Sequence, residues 1–323
     1  MAHTTVLLDE TVNALELTDG MTIADGTLGG GGHSEAILQR IVPGGRLIGI
    51  DKDEYALGRA SERLSEYKDY CIFVNDDFRN IRDIVSSLDI DGLDGAVLDL
   101  GVSSFQLDQC ERGFSYNQDA RLDMRMNIKD KTCAADIVNS YAQQDLTRIL
   151  RDYGEEKWAS RIAQFIVRER AISPIETTSQ LVEVIKMAIP AGARRSGPHP
   201  ARRTFQALRI EVNGELDALK QALGDFVSVM NENAKLAVIT FHSLEDRIVK
   251  QEFRRFADPC DCPKEFPICI CGKKPMGKVV TRKPILPSEA EIEDNKRSRS
   301  AKLRVFRVNS GGSYAERTSK NKP

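Results

Sequence analysis

No stretch of the 323-residue chain reaches the length of about 18 apolar residues that a helix needs to span a bilayer. Residues 1–10 also lack the basic segment followed by an apolar run that marks a secretory leader. Both absences predict a cytoplasmic protein with no membrane partner. A disulfide framework is missing too: seven cysteines are an odd count, and four crowd between positions 260 and 271, so reduced thiols are expected. There are no internal repeats. With 41% hydrophobic and 29% charged residues, the composition excludes a disordered or fibrous chain and leaves an ordinary globular one, long enough for a core domain with a sizeable insertion.

The chain has almost no net charge, formally -2, but the balance is uneven. Residues 250–323 hold 18 Lys and Arg against 9 Asp and Glu, while the preceding residues hold 28 against 39. A basic C-terminal region suits a polyanionic partner, because Lys and Arg displace phosphate counterions. A solvated basic tail is the competing reading.

Short apolar runs at 22–24, 46–50, 70–74 and 95–98 alternate with helix-like spacing, as in a parallel sheet of strand–helix–strand units. Strand-like runs then stop until 235–241 and 302–308. Between them, Ile137, Val138 and Tyr141, then Ile149, Leu150 and Tyr153, then Trp158, Ile162, Phe165 and Ile166, and finally Leu181 and Ile185 recur at helical spacing. The expected architecture is α/β, a Rossmann-like sheet from 1–105 and 215–310 with an all-helical insertion at 106–214 and a flexible tail at 311–323. Such an insertion is expected to cover a ligand cleft at the carboxyl ends of the strands.

The run from Ala24 through Asp25, Gly26, Thr27, Leu28 and four glycines to His33 follows a strand and opens a helix, which suits backbone approach to a nucleotide-type ligand. The dinucleotide pattern G-x-G-x-x-G is lacking, since Gly29 and Gly31 require Gly or Ala at position 34 and meet Ser34. A pyrophosphate is thereby disfavoured. Asp51, about 20 residues beyond the glycines, is placed to accept from ribose hydroxyls. Phe78, after Asn75, Asp76 and Asp77, offers an apolar face to an adenine, or serves as an ordinary core aromatic. Adenosine without phosphates points to S-adenosylmethionine, whose sulfonium suits the carboxylates Asp25 and Asp99; either is equally a turn residue.

These residues also carry a family likeness. The chain resembles the bacterial 16S rRNA cytosine N4-methyltransferases of the RsmH or MraW family in His3-Thr4-Thr5-Val6-Leu7-Leu8-Asp9-Glu10, in Asp25-Gly26-Thr27 with Gly31-Gly32-His33, and in Leu98-Asp99-Leu100-Gly101-Val102-Ser103-Ser104. Glu111-Arg112-Gly113-Phe114-Ser115, Leu122-Asp123-Met124-Arg125-Met126, Arg203-Thr204-Phe205-Gln206-Ala207-Leu208-Arg209 and Phe241-His242-Ser243-Leu244-Glu245-Asp246-Arg247 extend the likeness to about residue 250. It implies a class I methyltransferase sheet, with Gly31, Gly32, His33, Asp51, Phe78, Asp99 and Gln106 at cofactor-binding positions. The implied substrate is a cytosine in the decoding region of 16S rRNA, within the small subunit or an assembly intermediate.

The N4 amine of cytosine is a poor nucleophile because its lone pair is delocalised, so it has to be held in line with the methyl group. Asp99 is expected to accept one N4 hydrogen, and His242 or water to take the proton afterwards. Ser243 and Asp246 read as a helix capping box. Arg194, Arg195, Arg202, Arg203 and Arg209, near His199 and Phe205, are the expected RNA contacts, against the alternative of a solvated helix face. Cys260, Cys262, Cys269 and Cys271 have the chemistry to enclose a structural zinc ion, against the alternative of reduced thiols. Two other functions stay open: a nucleotide-dependent oxidoreductase on the same sheet, and a noncatalytic RNA-binding or assembly protein.

Overall fold

The computed structural model describes residues 5–102, 109–195, 197–263, 268 and 270–309. The chain divides into two compact units, residues 1–101 with 216–323, and residues 102–215.

The first unit is built on a seven-stranded sheet: β1 (Thr22–Asp25), β2 (Arg46–Asp51), β3 (Cys71–Asn75), β4 (Leu93–Asp99), β5 (Met230–Thr240), β6 (Gly277–Val279) and β7 (Lys302–Val308). Their order is β3-β2-β1-β4-β5-β7-β6. The first five pair in parallel, and β7 runs antiparallel between β5 and β6. This is the Rossmann-like class I methyltransferase sheet.

Successive side chains leave a strand on opposite faces, so a sheet covered on both sides needs apolar residues in immediate succession. Ala24, Ile48, Ala96, Leu98, Leu236 and Val238 enter one buried layer, packed with residues of helices Ile81–Ser87, Glu215–Val229 and Ser243–Ala257. Their neighbours Ile23, Leu47, Val97, Ala237 and Ile239 enter the opposite layer, against helices Leu8–Leu15 and Gly32–Ile41. Burying each such Leu or Ile stabilises the fold by about 1.5–3 kcal/mol. The apolar runs read from the sequence match β1 to β5 and β7, except that Tyr70 precedes β3 and Phe241 follows β5. β6 escaped that reading because three residues carry no period. The start of β5 escaped it because Asn231, Glu232 and Asn233 are polar.

Register brings three carboxylates to one edge. Asp25 pairs with Val97, Asp51 with Asn75 and Asp99 with Ile239, so Asp51, Asp25 and Asp99 end the adjacent strands β2, β1 and β4. Strand order reverses between β1 and β4, the point where open α/β sheets bind ligands.

The second unit contains helices Ala134–Ser140, Gln143–Asp152, Ala159–Arg170, Thr178–Ala188 and Arg202–Asn213. Its described residues form no strand, only an isolated bridge between Arg121 and Thr177. Ile137, Ile149, Leu150, Ile162, Ile166, Leu181 and Ile185 are fully buried in its core, as their helical spacing predicts. Asn213 closes the last helix: its side chain accepts from the Met126 N–H at 2.8 Å and donates to the Met124 carbonyl at 2.9 Å. Among the described residues no helix is long and apolar enough to cross a membrane.

Candidate cofactor site at the carboxyl edge of the sheet

The loop after β1 is held by its own polar atoms. The Asp25 carboxylate accepts from the Thr27 N–H at 3.1 Å and from the Ser34 hydroxyl at 2.7 Å, tying the strand end to the first turn of helix Gly32–Ile41. The Gly26 N–H donates to Val97 and the Leu28 N–H to Ile50, so the loop is laced to both flanking strands. Thr27 Oγ1 accepts from the Asp99 N–H at 2.5 Å. The sequence reading named Thr27 only within the motif Asp25-Gly26-Thr27 and gave it no role; its hydroxyl here holds the backbone of Asp99.

Two glycines have specific reasons. Gly31 caps the helix with φ of +75°, a left-handed conformation that β-carbon-bearing residues resist. At Gly32 a Cβ would lie 1.9 Å from Thr5 Oγ1. His33 is buried, with Nε2 donating to the Val6 carbonyl at 3.1 Å and Nδ1 3.8 Å from Asp99 Oδ2.

Asp51 accepts from the Gly29 N–H and the Asp53 N–H, both at 2.9 Å. Burial raises its pKa to about 6 against those two bonds, and burial likewise raises Asp25 to about 6. Phe78 opens a short 3-10 turn and packs half-buried against the core beside Gly26. Asp77 caps that turn, and its bonds from Arg79 hold its carboxyl below the usual range despite burial.

Asp99 differs from its neighbours. About 27% of its side chain is open, yet its Oδ1 is enclosed and has no hydrogen-bond partner among the described residues. Burial first, then the negative charges of Asp25 and Glu245, push its pKa to about 8. An enclosed carboxylate oxygen without a donor, surrounded by acids, fits a cationic ligand.

His242 requires a correction. It is the N-cap of helix Ser243–Ala257, with Nδ1 accepting from the Glu245 N–H at 3.4 Å. Glu245 accepts in return from the N–H groups of Phe241 at 2.8 Å and His242 at 3.2 Å. The capping box is therefore His242 with Glu245, one residue earlier than the expected Ser243 and Asp246. Asp246 instead accepts from Arg304 at 2.6 Å and Lys302 at 3.3 Å. With Nδ1 used as acceptor, a neutral His242 ring carries its proton on Nε2, which lies 3.1 Å from Glu245 Oε1 but off the line of a hydrogen bond. The structure thus shows His242 as the cap of this helix. Glu245, nearly fully buried, is the residue that the misplaced box concealed.

In the helical unit, Arg194, Arg195, Arg202 and Arg203 are exposed, and Arg203 also donates to the Glu155 carbonyl at 2.8 Å. Arg209 is different: its guanidinium engages both oxygens of Glu215 at 2.8 and 2.7 Å with only 16% of the side chain open, which makes it a structural ion pair rather than an RNA contact. His199 stacks on Tyr116 at 4.6 Å, while Phe205 meets the edge of Tyr116 from the core. Gln106 and Cys269 lie outside the described residues. The sulfur atoms of Cys260, Cys262 and Cys271 come within 4.8 Å of one another.

The chain is 56% identical over 303 residues to the ribosomal RNA small subunit methyltransferase H of Brevibacillus brevis, covering 94% of this chain and 96% of that protein. It is 54% identical over 305 residues to the protein of the same name from Clostridium botulinum, covering 94% and 98%. Among solved structures, an rRNA methylase from Streptococcus thermophilus aligns over 96% of this chain and 100% of that one, with 10% identity and a TM-score of 0.43. The sequence pattern of the MraW methylase family matches residues 1–309, and the chain belongs to that family.

Proposed function

We propose that this protein transfers the methyl group of S-adenosylmethionine to the N4 amine of a cytosine in the decoding region of 16S rRNA, acting in the cytoplasm on the small ribosomal subunit or an assembly intermediate. The observation that carries the reading is the Asp99 carboxylate at the strand-order switch, with one enclosed oxygen lacking a donor and acids for neighbours. The relatives' names supply the class of substrate, ribosomal RNA of the small subunit.

When bound, S-adenosylmethionine supplies an electrophilic methyl on a sulfonium cation. Asp51 at the end of β2 offers its remaining acceptor capacity to the ribose, and Phe78 offers a face to the adenine. Asp99 would hold the cationic end of the bound cofactor and would accept a hydrogen bond from the cytosine N4–H, leaving the lone pair free toward the methyl. In the transfer the N–C bond forms as the C–S bond breaks. The amine then carries the positive charge and loses one proton to water, a step that needs no strong base because the methylated amine is acidic. Glu245 keeps the potential of the edge negative. The exposed Arg194, Arg195, Arg202 and Arg203 hold RNA phosphates, the role assigned to the helical insertion.

The decisive experiment incubates the protein with labelled S-adenosylmethionine and unmodified small subunits and maps the modified nucleotide. Label at a single cytosine, recovered as N4-methylcytosine, is the expected result. Label on ring carbon or on another base, or saturation of the site by a nicotinamide dinucleotide instead, would sink the reading.

A further inference from the structure

Between helix Ser243–Ala257 and β6 the chain makes an excursion whose described residues contain no helix or strand. Its base is closed by the Met276 N–H donating to the Phe256 carbonyl at 2.8 Å. Loops of more than about 12–15 residues without secondary structure are uncommon in compact domains unless something ties them. Apolar burial does not tie this one, since Ile268 and Ile270 are 75% and 74% exposed. What converges in it is sulfur: Cys260, Cys262 and Cys271 gather their sulfur atoms within 4.8 Å.

The surroundings are those of a metal centre. Zinc–thiolate bonds of about 2.3 Å in a tetrahedron place sulfur atoms about 3.8 Å apart, a spacing that the 4.8 Å limit on these three accommodates. The Ile270 N–H donates to Cys262 Sγ at 3.4 Å, a bond that stabilises a thiolate. Lys273 Nζ meets Asp261 Oδ2 at 2.6 Å, joining the residue after Cys260 to the second residue after Cys271 and bringing a cation beside the sulfurs. Gly272, directly after Cys271, turns the chain with φ of +67°.

We propose that Cys260, Cys262 and Cys271 bind a zinc ion that staples this excursion and takes no part in catalysis. The distance argues for the structural role: helix Ser243–Ala257 begins at the carboxyl edge of the sheet and rises about 22 Å over its 15 residues before the cysteines are reached. The inference is independent of the reaction proposed above.

The test uses the full-length protein, purified untagged under reducing conditions. Elemental analysis returns about one zinc per chain, the Cys262→Ser variant holds less than about a fifth of that, and Cys71→Ser, remote in the sheet, retains it. Reconstitution with cobalt(II) gives a sulfur-to-metal charge-transfer band. Removing the metal lowers the melting temperature and exposes the excursion to protease, while affinity for S-adenosylmethionine changes by less than about twofold. Absence of metal together with absence of the cobalt band overturns the proposal, as does a disulfide between these cysteines in freshly reduced protein. Collapse of cofactor affinity on metal removal overturns the structural role.

Discussion

The sheet edge and the arginine-bearing surface of the helical unit present opposite charge in opposite ways. At the edge, Asp25, Asp51, Asp99 and Glu245 are wholly or largely enclosed, and burial raises Asp25, Asp51 and Asp99 far above the ordinary carboxylate range. In the helical unit, Arg194, Arg195, Arg202 and Arg203 stand in water. Enclosed charges act at short range in a low dielectric and discriminate one small cation from another. Exposed ones act over a Debye length and hold any polyanion, with a strength set by salt.

The hardest blow to this contrast falls on Asp99. Replacing it in Asp99→Asn removes the charge and keeps the shape, and methyl transfer is expected to drop by about 10²–10³-fold in single-turnover assays. The same variant should melt several degrees higher than the parent at pH 8.5, by less at pH 5, and no higher below about pH 4. The sign follows from the raised pKa: the neutral acid is the form the fold prefers, so its contribution is complete below about pH 4 and is lost as pH rises through about 8. Unchanged transfer by Asp99→Asn would remove the enclosed charge from the chemistry.

A smaller effect comes from protons competing with the cation. Affinity for S-adenosylmethionine, followed by calorimetry, should fall by up to about tenfold per unit as pH drops from 8 to 6, with protons released on binding. An affinity flat across that range would mean that Asp99 is already ionised and the contrast overstated.

On the exposed side, Arg202→Ala with Arg203→Ala should weaken binding to 16S rRNA by about tenfold at low salt and lower the slope of log K against log salt by about 1–2. Cofactor affinity should not change. The smallest effect is expected at His242: Asn is itself a good N-cap, so His242→Asn should stay within about threefold of the parent rate, whereas His242→Ala should cost about 1 kcal/mol in denaturant unfolding. A loss of more than a hundredfold in His242→Asn would restore the ring to the chemistry.

How legible all this was depended on how local each signal is. Ile48 beside Leu47, or Ile162 beside Ile166, declares its element because burial on two faces or on one stripe imposes a period. Asp51 and Asp99 were legible as strand-end acids. What the sequence does not carry is which carboxylate finds donors: Asp25 receives Thr27 and Ser34 from the loop and helix that follow it, while Asp99 keeps one oxygen unmatched among the described residues. Glu245 was missed because the cap begins at a histidine, and the serine beside it offered a more familiar box one residue late. Arg209 looked like its arginine neighbours until Glu215, six residues on, proved to hold it.

The segment that begins the described chain has a use that its position conceals. Thr5 fills the space where Gly32 lacks a side chain, the Val6 carbonyl receives His33, and the Leu7 N–H reaches Glu291 at 2.8 Å. These three residues form a latch on the glycine loop from outside it. Val6 and Leu7 are also buried in the core layer beneath that loop, so a truncation through Leu7 is expected to weaken cofactor retention and lower the melting temperature together.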